Sequence, residues 1–184
     1  MSIGTVDSRP RRRWPVALAL AVALPLALVA HGWETAREWW RQSALFETPV
    51  PKGTAVNYAG ADWRLVSLVK IATRQDGSAL VLAELEARVT DKEAFALLPC
   101  NVVLSGPGLP NWLPAFPPPR DVRKARPDLA DRPSCGTAKV GDIEPGRRIL
   151  MAESFRLPWM EFERVRLELA TPAGRPHYLV FERP

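Results

Sequence analysis

Between Trp14 and Ala30 the chain carries no ionisable side chain, and Arg11, Arg12 and Arg13 stand immediately before that run. A charge near the centre of a bilayer costs at least about 2.5 kcal/mol, so an uninterrupted apolar stretch with a basic flank marks a membrane segment. From Trp14 to Trp33 are 20 residues. At about 1.5 Å each they rise roughly 30 Å, the thickness of a hydrocarbon core. Trp14 stands at one end and Trp33, Trp39 and Trp40 follow the other, as an interfacial aromatic belt requires. Arg9, Arg11, Arg12 and Arg13 precede the span, whereas Glu34, Arg37, Glu38 and Arg41 balance one another after it. The positive-inside rule therefore expects residues 1–13 as a basic cytoplasmic tail, 14–33 as a signal anchor in the inner membrane, and the remainder in the periplasm.

A cleaved signal peptide is the competing reading. Leu28-Val29-Ala30 places a bulky residue where cleavage needs a small one, which favours the uncleaved anchor. No cysteine follows the run closely, excluding a lipoprotein, and Trp-Pro after the arginines is a poor twin-arginine signal.

The formal net charge of +5 is concentrated in the tail. From Gly53 to Pro184, 18 Lys and Arg face 16 Asp and Glu, too small an excess for nucleic-acid binding. These 132 residues suffice for one domain with its own core. Cys100 and Cys135 are the only cysteines, and 34 residues lie between them. In an oxidising compartment such a pair is expected as a disulfide, and the spacing is not that of a redox Cys-x-x-Cys.

Residues 34–52 are expected as a juxtamembrane helix to Glu47 followed by a Pro-rich linker, Thr48-Pro49-Val50-Pro51-Lys52-Gly53. After Gly53 the apolar period becomes two. Trp63, Leu65, Val69 and Ile71 are expected on one face of a strand, and Val81, Ala83, Leu85, Ala87 and Val89 on one face of the next. Ile149, Met151, Phe155 and Leu157, then Val165, Leu167 and Leu169, continue the pattern, with a last strand near Tyr178 and Val180. Gln75-Asp76-Gly77-Ser78 predicts a hairpin turn, and Glu144-Pro145-Gly146 and Thr171–Pro176 two further reversals. About seven short strands punctuated this way predict an all-β fold, an immunoglobulin-like antiparallel β-sandwich over 53–184.

Residues 105–136 interrupt the pattern. Pro107, Pro110, Pro114, Pro117, Pro118 and Pro119 forbid regular strands there, and Arg120–Arg132 has room for a helical turn or two. Trp112 and Phe116 in this insertion either fold back over the sandwich or offer a partner contact, since aromatics on a proline-stiffened loop lose little entropy on binding.

Ile143-Glu144-Pro145-Gly146, followed by Met151–Pro158 and Val165–Leu169, resembles the telokin-like, immunoglobulin-fold domains of bacterial extracytoplasmic proteins of unknown function. The resemblance covers about two-thirds of the body and includes the strand around Val81–Asp91. It implies fold and export and transfers no catalytic residue. The Pro-rich insertion is foreign to the pattern.

Catalytic constellations are not apparent. His31 and His177 cannot build a His-rich zinc site, and no His-Glu-x-x-His or Gly-x-Ser-x-Gly occurs. Ser67-Leu68-Val69-Lys70 matches Ser-x-x-Lys, but within a two-residue alternation instead of at a helix start. Gly106-Pro107-Gly108 lacks the N–H a phosphate cradle needs. Asp121, Asp128 and Asp131 are too sparse for a calcium cage. The expectation is a non-enzymatic, cofactor-free module that binds a protein partner in the envelope. The alternative is a small-ligand or envelope-polymer binding domain, with an apolar pocket lined by Trp63 or Trp159.

Overall fold

The computed structural model describes residues 14–42, 45–96, 100–137 and 143–183. Arg9, Arg11, Arg12 and Arg13, on which the expected orientation rests, lie outside the described residues. The chain forms two units, a helix and a β domain.

The helix, α1, runs unbroken from Trp14 to Gln42 with Pro25 inside it. Its segment Ala17–Trp40, with a mean hydropathy of 1.6, is long and apolar enough to cross a membrane by length and composition. The expected juxtamembrane helix is thus the end of the same helix and stops short of Glu47. Glu34–Gln42 contains no Gly or Pro to end the helix at Trp33, and its Glu–Arg pairs at i,i+3 support helical geometry.

Among the described residues, eight strands make two four-stranded sheets. They are β1 (Phe46–Val50), β2 (Val56–Tyr58), β3 (Ala61–Thr73), β4 (Ser78–Val89), β5 (Asn101–Ser105), β6 (Arg148–Pro158), β7 (Arg166–Ala170) and β8 (His177–Phe181). One sheet has the order β1-β8-β7-β5 and the other β2-β3-β4-β6. The two-sheet all-β body agrees with the expectation. Its strictly antiparallel character does not, because β1 pairs parallel with β8, from Phe46 opposite His177 to Val50 opposite Phe181.

That pairing also corrects the reading of Thr48–Val50 as linker. Phe46 N–H donates to the Pro176 carbonyl at 3.1 Å, and the Val50 carbonyl accepts from Glu182 N–H at 3.0 Å. Residues 46, 48 and 50 therefore bond toward β8, and Pro49, which has no N–H, falls on the open side of an edge strand, where proline is tolerated.

The core lies between the sheets. Trp63, Leu65 and Leu68 of β3, Val81, Leu85 and Val89 of β4, and Met151, Phe155 and Leu157 of β6 meet Val102, Leu104, Leu167, Leu169, Leu179 and Phe181 of the other sheet. Val69 does not share the face of Trp63. Register shifts between Leu65 and Ser67 and between Lys70 and Ala72 re-phase β3, so Leu68 turns inward opposite Ala83 and Val69 outward opposite Leu82. The β3–β4 hairpin forms as predicted: Gly77 has φ +76°, and the Asp76 carboxylate accepts from Ser78 N–H at 2.9 Å. Gly146, at φ +89°, turns the chain into β6 and donates its N–H to the Val89 carbonyl at 2.7 Å.

Candidate functional site

The insertion after β5 is a strap across one side of the sandwich. Leu104 and Trp112 exchange backbone hydrogen bonds of 3.0 and 2.9 Å, covering the free edge of β5. Three residues later Ala115 N–H donates to the Ser154 carbonyl at 2.7 Å, and the Ser154 hydroxyl donates to the Ala115 carbonyl at 3.2 Å. Ala152 N–H then donates to the Pro133 carbonyl at 3.2 Å, so the strap also occupies the free edge of β6. Unpaired strand edges invite pairing with other chains, and one segment here covers an edge of each sheet.

Beyond Pro119 the strap forms two short helices, α2 (Arg120–Ala125) and α3 (Pro127–Ala130). Val122 and Leu129 on these helices pack with Leu80 and Leu82 on the outer face of the β4 sheet, flanked by Ile71, Ala72 and Ala152. Arg132 forms an ion pair with Glu84 beside this patch. Cys135 then bonds to Cys100, the residue before β5, with a Cα–Cα distance of 5.5 Å, tying the strap's far end back to the start of the strand it leaves. In the chain-entropy account a loop of this length contributes about 4 kcal/mol.

Trp112 and Phe116 separate within this frame. Trp112 is half-buried against the main core. Phe116 is 76% exposed and its neighbour Leu113 67% exposed. The strap thus covers the sandwich through Trp112, Val122 and Leu129, while Phe116 and Leu113 present apolar surface to solvent. Leu113 was not singled out from sequence, because one leucine among prolines has no periodicity to mark it.

The two tryptophans considered for a ligand pocket lie in different settings. Trp63 is fully buried and donates its indole N–H to the Tyr58 carbonyl at 2.9 Å. Trp159 opens the 3₁₀ turn Trp159–Arg164 and is half-exposed. Ser67 and Lys70 lie on β3: Ser67 is opposite Glu84, whereas the Lys70 ammonium sits 5.8 Å from the centre of the Phe162 ring. Asp121 pairs with Arg74 at 2.5 Å and Asp128 with Arg126 at 3.0 Å, occupying two of the three carboxylates considered for calcium.

Glu153 is the buried acid that the sequence reading passed over. It points inward from β6 between Met151 and Phe155 and accepts the Cys135 N–H at 2.6 Å. Burial raises its carboxyl to about 7, against the opposing pull of that N–H. Its signal was the gap at 153 in the inward series Ile149, Met151, Phe155, Leu157.

No protein-family model matches the chain, and no curated protein matches it. Among solved structures it is similar to a conserved hypothetical protein from Bacillus anthracis, with 10% identity, a TM-score of 0.42, and coverage of 68% of this chain and 92% of that one. It is also similar to an uncharacterized β-sandwich protein from Clostridium difficile 630, with 9% identity, a TM-score of 0.41, and coverage of 73% and 93%. The yjhA protein from Bacillus subtilis is similar at 8% identity and a TM-score of 0.39, over 72% of this chain and 98% of that one.

Proposed function

We propose that this chain is a single-pass inner-membrane protein whose β-sandwich lies outside the cytoplasm and acts as a non-catalytic, protein-binding accessory module of an envelope complex. The anchor is α1, oriented by Arg9, Arg11, Arg12 and Arg13, and the domain is an immunoglobulin-like sandwich of telokin-like type. A first strand running parallel to the last, at the edge of an otherwise antiparallel sheet, supports that assignment.

The observation that carries the reading is the exposure of Phe116 and Leu113 on a segment held at both flanks. The Trp112–Leu104 and Ala115–Ser154 hydrogen bonds fix the backbone on either side of Leu113, so a partner burying these side chains has little chain left to order. Aromatic anchors on rigid backbone are what interface hot spots consist of.

A photocrosslinker at position 116, in intact membranes, tests it. The expected result is a discrete crosslinked protein that disappears with Leu113→Ser and is not captured from exposed Lys92. Equal capture from both positions, or none from 116, overturns the reading.

A further inference from the structure

We propose that Arg88 and Arg148 form the fork of a binding site for a phosphate-bearing anion on the outer face of the β2-β3-β4-β6 sheet, independent of the strap. The antiparallel register sets these two arginines directly opposite each other, on adjacent strands and on one face. Like charges so placed are destabilising. Among the described cross-strand pairs this is the only one that opposes two charges of the same sign.

The neighbouring carboxylates neutralise the pair only in part. Glu86 is held by Arg64 at 2.8 Å and reaches Arg148 only at 3.9 Å. Asp62, opposite Arg88 on β3, accepts the Asn57 amide at 2.9 Å. Three guanidinium groups thus share two carboxylates, one of them engaged by an amide. The same residues line a surface groove whose remaining wall is Gly53 and Ala55, small residues that leave room above the arginines. Adding a Cβ to Gly53 would meet nothing within 4 Å.

Planar guanidinium forks match tetrahedral oxyanions bidentately, and a dianionic phosphate would convert the repulsion into two charge-assisted contacts. Recognition by side-chain forks alone, on an open face, reads the phosphate and little of what it is attached to. A free phosphate and a lipid phosphomonoester share this chemistry.

The test uses the full chain in uncharged detergent micelles at constant ionic strength. Inorganic phosphate should raise the thermal midpoint saturably, and Arg88→Gln and Arg148→Gln should each weaken the response roughly tenfold. The double variant should abolish it, whereas Arg123→Gln on α2 leaves it intact. Arg148→Gln without phosphate should melt no lower than the parent, because it removes a repulsion. Micelles doped with short-chain phosphatidic acid form the second arm. A shift there and none with free phosphate, again lost in the double variant, assigns the lipid as the source. A shift with free phosphate alone assigns the soluble anion. No shift in either arm, or an undiminished shift in the double variant, overturns the proposal.

Discussion

The phenol of Tyr58, on β2 in one sheet, fills the space where Gly174, in the β7–β8 connection of the other, would carry a Cβ. The hydroxyl donates to the His177 carbonyl at 2.8 Å and accepts from Thr171 N–H at 3.2 Å, so one side chain satisfies two backbone groups across the sandwich. Gly174 is required here by space and not by backbone dihedral, since its φ is ordinary. Gly174→Ala must displace a buried, doubly bonded ring and is expected to cost at least about 2 kcal/mol. Tyr58→Phe keeps the packing but leaves both backbone groups unpaired, for about 1–3 kcal/mol. Denaturant unfolding at constant m measures both, and the double variant should cost less than the sum.

The raised carboxyl of Glu153 predicts that stability falls as pH rises. Its folded carboxyl titrates near 7 against an ordinary value of 4.5, so between these pH values the native state holds a proton that the unfolded chain has released. Unfolding free energy therefore declines through that window and levels off above it, by on the order of 3 kcal/mol. Glu153→Gln keeps an acceptor for Cys135 N–H without the charge. It should flatten the decline and exceed the parent in stability above about pH 7. Urea unfolding on both sides of the window decides it; parallel pH profiles for parent and variant would exclude this role for Glu153.

The strand order of hydrophobic residues was legible wherever the two-residue period ran undisturbed. β4 and β7 place Val81, Leu85, Leu167 and Leu169 inward, as alternation predicts. It failed at β3, because a bulge shifts phase without changing composition, and Val69 and Leu68 are interchangeable to any hydrophobicity pattern. The strap was legible as a proline-rich interruption pinned by cysteines. Its docking was not, since Val122 and Leu129 belong to helices too short to show a helical period. The Arg88–Arg148 juxtaposition depends on register between strands far apart in the chain, which local sequence does not encode.

Pro49 protects an edge. No described strand flanks β1 on the side away from β8, and Pro49 removes the N–H that would point outward there. Pro49→Val restores that donor at an exposed position with good strand propensity. The expected outcome is concentration-dependent self-association with little change in the stability of the dissociated chain, read by sedimentation velocity. A variant that remains as monodisperse as the parent would show that Pro49 does not guard this edge.

The strap's two faces should respond oppositely to truncation. Leu129 is buried with Val122 against Leu80 and Leu82, so Leu129→Ala removes contacts that hold α3 to the sheet. The patch is thin and lies outside the main core, which lets it relax, and the expected cost is about 2 kcal/mol, the low end for buried leucine. The cost should be expressed as faster amide exchange in α2 and α3, with β7 and β8 unaffected, because the disulfide and the Trp112–Leu104 bridge hold the strap's other attachments. Phe116→Ala, on the same strap but exposed, should change stability by less than about 0.5 kcal/mol. If Phe116→Ala destabilised as much as Leu129→Ala, Phe116 would be a packing residue, and its exposure would cease to argue for a partner.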